Sequence, residues 1–408
     1  MTTLYQSAEQ FTSFTDSKKA KFGAMLEGGK AQARNFFTRL QDELPKDKPL
    51  NTKKMEFDVR DNRIILRDGN GNGDKQEWFL HKNALSQMVT KTDVLTGGVA
   101  DKMFDCFSKD EEGNIEPWGQ ELLLHNLRTI YSKTERERVL IRIVQTPADK
   151  EQGRPGEIRG FLSDRYRRLN SAPIIEAFAA AAKKFDCVPL VNHPKFRATY
   201  YTDIKIGFSM FLPMVFEPVP GEVIVIGIMV ESSDYGAGAL TVRLICQRIT
   251  CTNLAIMRDE LRKVHLGTRL SEDINFSRET YESDTKTMAL AVADITNALI
   301  NPERINRQIA TIQAAASEKV DAQKLYQDLR RNGFLLKADA ESVSRLYAEA
   351  DVELMPPGNT LWRASNALSL FANTLEEDGH TDRALDVRHA AGFVLDEFEK
   401  KNEKKITA

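Results

Sequence analysis

Apolar positions of period two dominate the first two thirds of the chain, and positions of period three to four dominate the rest. Met55, Phe57 and Val59 alternate with polar residues, and Arg63 to Arg67 forms a second run; Asp61-Asn62 between them tolerates positive φ, so the pair predicts a β-hairpin. Strands are expected at Glu77 to Leu80, Arg138 to Val144, Ile158 to Phe161, Ala198 to Leu212, Glu222 to Val230 and Ala239 to Ile249. Residues 1–50 read as one or two polar helices ending near Pro45. Helices are also expected over 83–107 and 118–132, the second with Trp118, Leu122, Leu123, Leu124, Leu127 and Ile130 as its apolar stripe. A helix from Ala172 to Lys184 follows. After Ser277 strand signals nearly vanish, and helices are expected over 285–300, 302–316, 322–332, 340–351, 360–375 and 382–400. The expected class is α+β. A polar N-terminal helical extension (1–50) precedes a largely antiparallel sheet domain (51–272) and an all-helical region (273–408) that turns acidic toward its end.

The 408 residues are too many for one ordinary core, and 41% hydrophobic content excludes wholesale disorder. The net charge of −2 excludes a globally basic protein but conceals an asymmetry. From Arg128 to Arg269 there are 22 Lys and Arg against 15 Asp and Glu; from Ala338 to Lys400 there are 5 against 13. That polarity fits a basic binding region beside an acidic one, or two solvated surfaces that happen to differ. The longest strongly apolar run, Val223 to Val230, is far below the ~20 residues a membrane span needs. The N-terminus lacks a continuous apolar stretch, so no secretory signal is expected. Cys106, Cys187, Cys246 and Cys251 are sparse and scattered, which favours a reduced, cytoplasmic setting.

The densest basic cluster is Arg154, Arg159, Arg165, Arg167 and Arg168, set around Phe161 and Tyr166. Planar guanidinium groups match phosphate by two parallel hydrogen bonds, and an interleaved aromatic can stack on an unpaired base. Asp164 could instead neutralise one arginine in a turn. A second cluster comprises Arg243, Arg248, Arg258, Arg262, Lys263, His265 and Arg269; a helix would stack Arg258 on Arg262. No P-loop, nucleophile elbow, zinc spacing or dinucleotide fingerprint is present, so no cofactor or metal is expected. Asp68 to Gly73 imitates the first half of an EF-hand, but Phe79 stands where the bidentate Glu belongs, and a turn is the expectation. Ser233, Asp234 and His265 form a triad only on paper, and Cys251 reads as a structural thiol more readily than as a nucleophile.

The segments GFLSDRYRRLNSAPIIEAF (160–178), SSDYGAGAL (232–240), RLICQRITCTNLAI (243–256) followed by HLG (265–267), and NTLWRASNALS (359–369) occur in an order that resembles the domain of unknown function 932 family of phage- and plasmid-borne proteins. The resemblance covers roughly residues 80–380. This chain departs from it at Asn253-Leu254, where a glycine would follow the asparagine, and in its longer polar N-terminal region. No activity comes with the family. Its setting on mobile elements, near recombination and anti-restriction genes, implies work on DNA. The expectation is therefore a phage-type nucleic-acid-binding protein, in its most concrete form a single-stranded DNA-binding or annealing protein acting as a homo-oligomer in a bacterial cytoplasm. Arg159, Arg165, Arg167, Arg168, Arg243 and Arg248 would contact the backbone and Tyr166 would stack. The rivals are an interaction protein that counters a host defence factor, and an enzyme of unfamiliar type using Asp164, Asp234 or His265.

Overall fold

The computed structural model describes residues 16–60, 63–69, 76–92, 97–134, 138–164, 166, 169–191, 199–249, 254–256, 277–349 and 355–407. They form an α+β protein with two mixed-layer halves.

The first half is a six-stranded sheet in the order β1-β7-β8-β4-β3-β2. Its strands are β1 (Lys46–Asn51), β2 (Met55–Arg60), β3 (Arg63–Asp68), β4 (Glu77–Leu80), β7 (Arg138–Val144) and β8 (Glu157–Ser163). All neighbours are antiparallel except β4 and β8, which run parallel with Phe79 opposite Glu157. The expected hairpin is β2–β3, with Arg60 opposite Arg63. Strand β1 begins just after Pro45, where the expected helices end, and takes up the last residues of the stretch read as a helical extension; among the described residues α1 (Asp16–Asp42) precedes it. The sequence KDKPLN has neither alternation nor β-branched residues. It is a strand because it adds to the edge beyond β7, where Pro49 costs no ladder hydrogen bond to a further neighbour.

Helices α2 (Lys82–Thr90) and α4 (Trp118–Lys133) cover this sheet, with α3 (Gly97–Phe104) between them. Leu123, Leu124, Leu127 and Tyr131 of α4 meet Leu85, Met88 and Val89 of α2 and the sheet residues Ile64, Leu66 and Ile141. The expected stripe is thus half right. Trp118 and Leu122 are one helical turn apart on the opposite face and are 49% and 47% exposed. Between α3 and α4 a short hairpin projects, β5 (Ser108–Lys109) with β6 (Ile115–Glu116). The Pro-rich loop after β7 also contains a one-turn helix, α5 (Pro147–Glu151), closed by a Thr146–Asp149 capping box.

The second sheet has the order β14-β13-β12-β10-β9, with β11 also pairing to β12. Its members are β9 (Tyr200–Tyr201), β10 (Ile206–Phe211), β11 (Phe216–Val219), β12 (Glu222–Ser232), β13 (Thr241–Arg248) and β14 (Leu254–Ile256). The apolar run in β12 is a central strand covered on both faces. Ile224, Ile226, Ile228 and Val230 enter the large core, while Val223, Val225 and Met229 enter a second core with Met25 of α1 and Leu385. Helix α6 (Ser171–Lys183) lies on the large-core face.

The C-terminal helices are α7 (Arg278–Leu299), α8 (Pro302–Ser317), α9 (Ala322–Arg331), α10 (Lys337–Glu349), α11 (Leu361–Glu377) and α12 (Thr381–Thr407). They share the large core with the second sheet: Trp362, Leu368, Val387 and Leu395 belong to the same buried cluster as Phe208 and Ile226. No helix among the described residues is long and apolar enough to cross a membrane.

Candidate functional site at the junction of the two sheets

The four sequence motifs meet in pairs. The first, in β8 and the start of α6, meets the second, the loop joining β12 to β13. The third, in β13, meets the fourth, at the start of α11.

The first pairing is organised by Arg142, a cation in the middle of β7 that is 1% exposed. Its guanidinium donates from Nε to Asp47 Oδ1 at 2.7 Å, from Nη1 to the Asp234 carbonyl at 2.6 Å and from Nη2 to Asn170 Oδ1 at 2.6 Å. The Asp234 carboxylate accepts from the Ser171 amide at 2.7 Å and the Ser171 hydroxyl at 2.8 Å. Ser171 lies at the head of α6, so the carboxylate also meets the positive end of that helix. Burial pushes the Asp234 pKa up, and Arg142 and Ser171 offset part of that rise. Gln87 and Asn83 of α2 donate to the Tyr235 carbonyl at 2.7 and 3.4 Å, so the β12–β13 loop is also stitched to the helix over the first sheet.

Glycine is needed here. Gly236 has φ +71°, and a Cβ on it would stand 2.8 Å from Leu162 Cδ2. Its amide donates to the Tyr166 phenol, whose pKa burial raises. Half-buried Tyr166 is therefore a strut between the motifs, its phenol committed to the Gly236 amide.

Arg159 is also withdrawn from the expected contact set. It is 5% exposed and pairs with Glu43 at 2.7 Å, Glu157 at 3.1 Å and Asp203 at 3.4 Å. Glu43 follows α1 and Asp203 follows β9, so this one guanidinium ties the N-terminal helix to both sheets. His81, the N-cap of α2, faces the same cluster with Nε2 3.9 Å from Asp203 and accepts the Asn83 amide on Nδ1. Burial lowers its pKa, with Glu157 and Asp203 opposing and Arg159 and Arg63 assisting. A hollow of about 220 Å³ beside the cluster is lined by Arg63, Phe79, Thr146, Asp149, Glu157 and Arg159. Arg63 donates to Glu157 at 2.6 Å and covers the Phe79 ring at 4.0 Å, so the charges on this wall are already matched.

In the second pairing, Arg248 makes a fork on Glu222, with both bonds at 2.7 Å, and Trp362 Nε1 donates to the same carboxylate at 3.4 Å. This places Trp362 as the anchor of α11 on the sheet. Arg243 lies 3.7 Å from Glu231 and bonds the His389 ring of α12. Glu231 additionally accepts from Tyr200 at 2.9 Å and Thr241 at 3.1 Å. Arg243 and Arg248 thus fasten helices to the sheet, and their assignment to a phosphate surface is corrected. The Arg248 guanidinium is buried and that of Arg243 is half-buried, so both are largely removed from water and carboxylates face them.

Arg154 is exposed at the turn before β8. Arg165, Arg167, Arg168, Cys251, Arg258, Arg262, Lys263, His265 and Arg269 lie outside the described residues, as does most of the EF-hand-like loop; its first residue, Asp68, pairs with Lys48 at 2.9 Å. Ser233 is occupied structurally, donating to the Ile204 carbonyl at 2.7 Å and accepting the amides of Tyr235 and Ala237. Among the described residues no group of three His, Cys, Asp or Glu side chains could hold a metal ion. Arg142 and Glu43 are the organising residues that motif reading missed. For Arg142 a signal exists: it interrupts RVLIRIV, a run too apolar for a strand with a wet face.

No family model, no curated protein and no solved structure matches this chain.

Proposed function

We propose that the protein binds nucleic acid, single-stranded DNA in the first place, through the connection between β8 and α6. Its two ends are fixed, which is the observation that carries the reading. The Tyr166 amide donates to the Ser163 carbonyl at 2.9 Å, the Leu169 carbonyl and Asn170 side chain receive Arg142, and the Ser171 amide meets Asp234. Between these anchors the sequence places Arg165, Arg167 and Arg168 with one acidic residue, Asp164. Covalent spacing of ~3.8 Å between consecutive Cα atoms keeps these arginines beside the anchored Tyr166. Fixed ends reduce the entropy a connection loses when it meets a phosphodiester backbone. The buried arginines act at one remove, by holding the platform. The resemblance to proteins of mobile elements supports DNA as the polyanion.

The test is fluorescence anisotropy with labelled single-stranded DNA, duplex DNA and RNA over a salt series. Binding to single strands should weaken steeply as salt rises. The R165E/R167E/R168E variant should bind weakly to every sequence, with the log–log salt slope smaller by about 2, at ~0.7 per lost phosphate contact. Absence of salt-sensitive binding at micromolar protein removes the reading.

A further inference from the structure

Four of the large apolar side chains left exposed lie close together in the chain, at the end of the molecule formed by the β5–β6 hairpin and the first turns of α4. Phe107 is 59% exposed, Trp118 49%, Leu122 47% and Ile115 46%. The strand register puts Lys109 opposite Ile115, and period-two alternation turns Phe107 to the same side of the hairpin. Trp118 and Leu122 continue the apolar strip along the outer face of α4. Carboxylates rim it. Residues 107–122 contain Asp110, Glu111, Glu112, Glu116 and Glu121 against one lysine, Lys109, and no arginine. The nearby ion pair is Lys82 with Asp105 at 2.8 Å, and no ion pair of the described residues involves those five acids.

A lysine-rich segment of complementary charge ends the described chain; a second one, Lys18, Lys19 and Lys21, opens α1 but is followed by the rest of a helix that packs along the second sheet. Helix α12 packs against the core as far as Phe398 and continues to Thr407. That overhang, about 13 Å at 1.5 Å per residue, carries Lys400, Lys401, Lys404 and Lys405 against Glu399 and Glu403, and Glu399 lies 4.0 Å from Arg307. Lys400 and Lys401 are exposed. Other segments fit less well. Residues 1–15 contain one acid and no lysine or arginine, and residues 257–276 balance four basic residues with four acidic ones. We infer that the acidic apolar face of one copy receives the lysine-rich end of α12 from a second copy. Such a contact joins two different surfaces, so it propagates from copy to copy or closes into a ring.

The experiment is multi-angle light scattering on the full chain at low and high salt, with Trp118 as an optical reporter. The other tryptophans, Trp78 and Trp362, are 8% and 2% exposed, so acrylamide quenching of the free chain reports chiefly on Trp118. At low salt the mass should be at least twice that of one chain and quenching should be reduced; high salt should reverse both. K400E/K401E/K404E/K405E and E111K/E112K/E116K should each be single chains. Mixing the two variants should restore assembly, because each then offers the surface the other needs. A single-chain mass at low salt overturns the inference, as does an unchanged mass in either charge variant or failure of the mixture to assemble. Capture of a foreign basic protein by a chain that stays single would reassign the face and overturn self-association.

Discussion

The guanidinium of Arg142 donates to the main-chain carbonyl of Asp234 at 2.6 Å, and the side chain of Asp234 receives Ser171 at the head of α6. One strand of the first sheet, one loop of the second and the first turn of a helix are therefore fixed to each other by two residues. Arg142→Met should cost about 3–5 kcal/mol, because Asp47 and Asp234 lose the cation that compensates them. In urea unfolding, Arg142→Met combined with Asp234→Asn should be less destabilised than the sum of the single changes. Strict additivity would mean that the two groups are not coupled.

Glu231 links the second sheet to α12. Burial raises its pKa, but His389, Arg243 and the Tyr200 hydroxyl outweigh burial and bring it from 4.5 to about 2. The folded-state value is depressed, so the stabilisation is present above pH 4.5 and is lost as pH falls toward about 2. Glu231→Gln should flatten the acid limb of a stability–pH curve in that window, by a few kcal/mol at ~1.4 kcal/mol per unit. An acid limb as steep as that of the parent chain would place the controlling carboxylate elsewhere.

Gly236→Ala and Gly113→Ala both put a side chain at positive φ, +71° and +86°. Gly113 has open space around it, whereas an added Cβ at Gly236 meets Leu162 at 2.8 Å. The Gly113 change should cost about 1 kcal/mol from backbone conformation alone. The Gly236 change should cost more and should also quench the contact that holds Tyr166, visible as a shift in the Tyr166 ring resonances by NMR.

Stability and binding should separate. Arg248→Met leaves Glu222 buried without its fork and should lower the unfolding midpoint, with no change in the salt slope of DNA binding measured well below that midpoint. R165E/R167E should do the reverse. A loss of salt slope in Arg248→Met would return that residue to the contact set.

Burial pushes both the Cys187 and Cys246 thiols up to about 12. At pH 8 in the folded chain, iodoacetamide should leave them unmodified over a time in which the partly exposed Cys106 reacts. Peptide mapping by mass spectrometry reads this directly, and early alkylation of Cys246 would contradict the packing around β13.

Local pattern determined many elements: β4 and β7 fall at the residues where strands are expected, and α8 and α9 within one residue of their apolar repeats. Local pattern carries that information because a helix with one buried face must repeat its apolar residues at its own period, and a strand covered on both faces reads as a short apolar run bounded by polar residues. Strand β1 was not legible, because KDKPLN becomes a strand only when β7 offers it an edge. Nor was the fate of the arginines. Arg159, Arg243 and Arg248 look in the sequence like members of a cationic surface, and the carboxylates that face them come from other elements: Glu43 for Arg159, Glu231 for Arg243 and Glu222 for Arg248. A charge is open to a ligand or spent inside the fold according to which carboxylates the folded chain brings within a few ångströms; beyond a strand neighbour such as Glu157 beside Arg159, local sequence does not encode that distance.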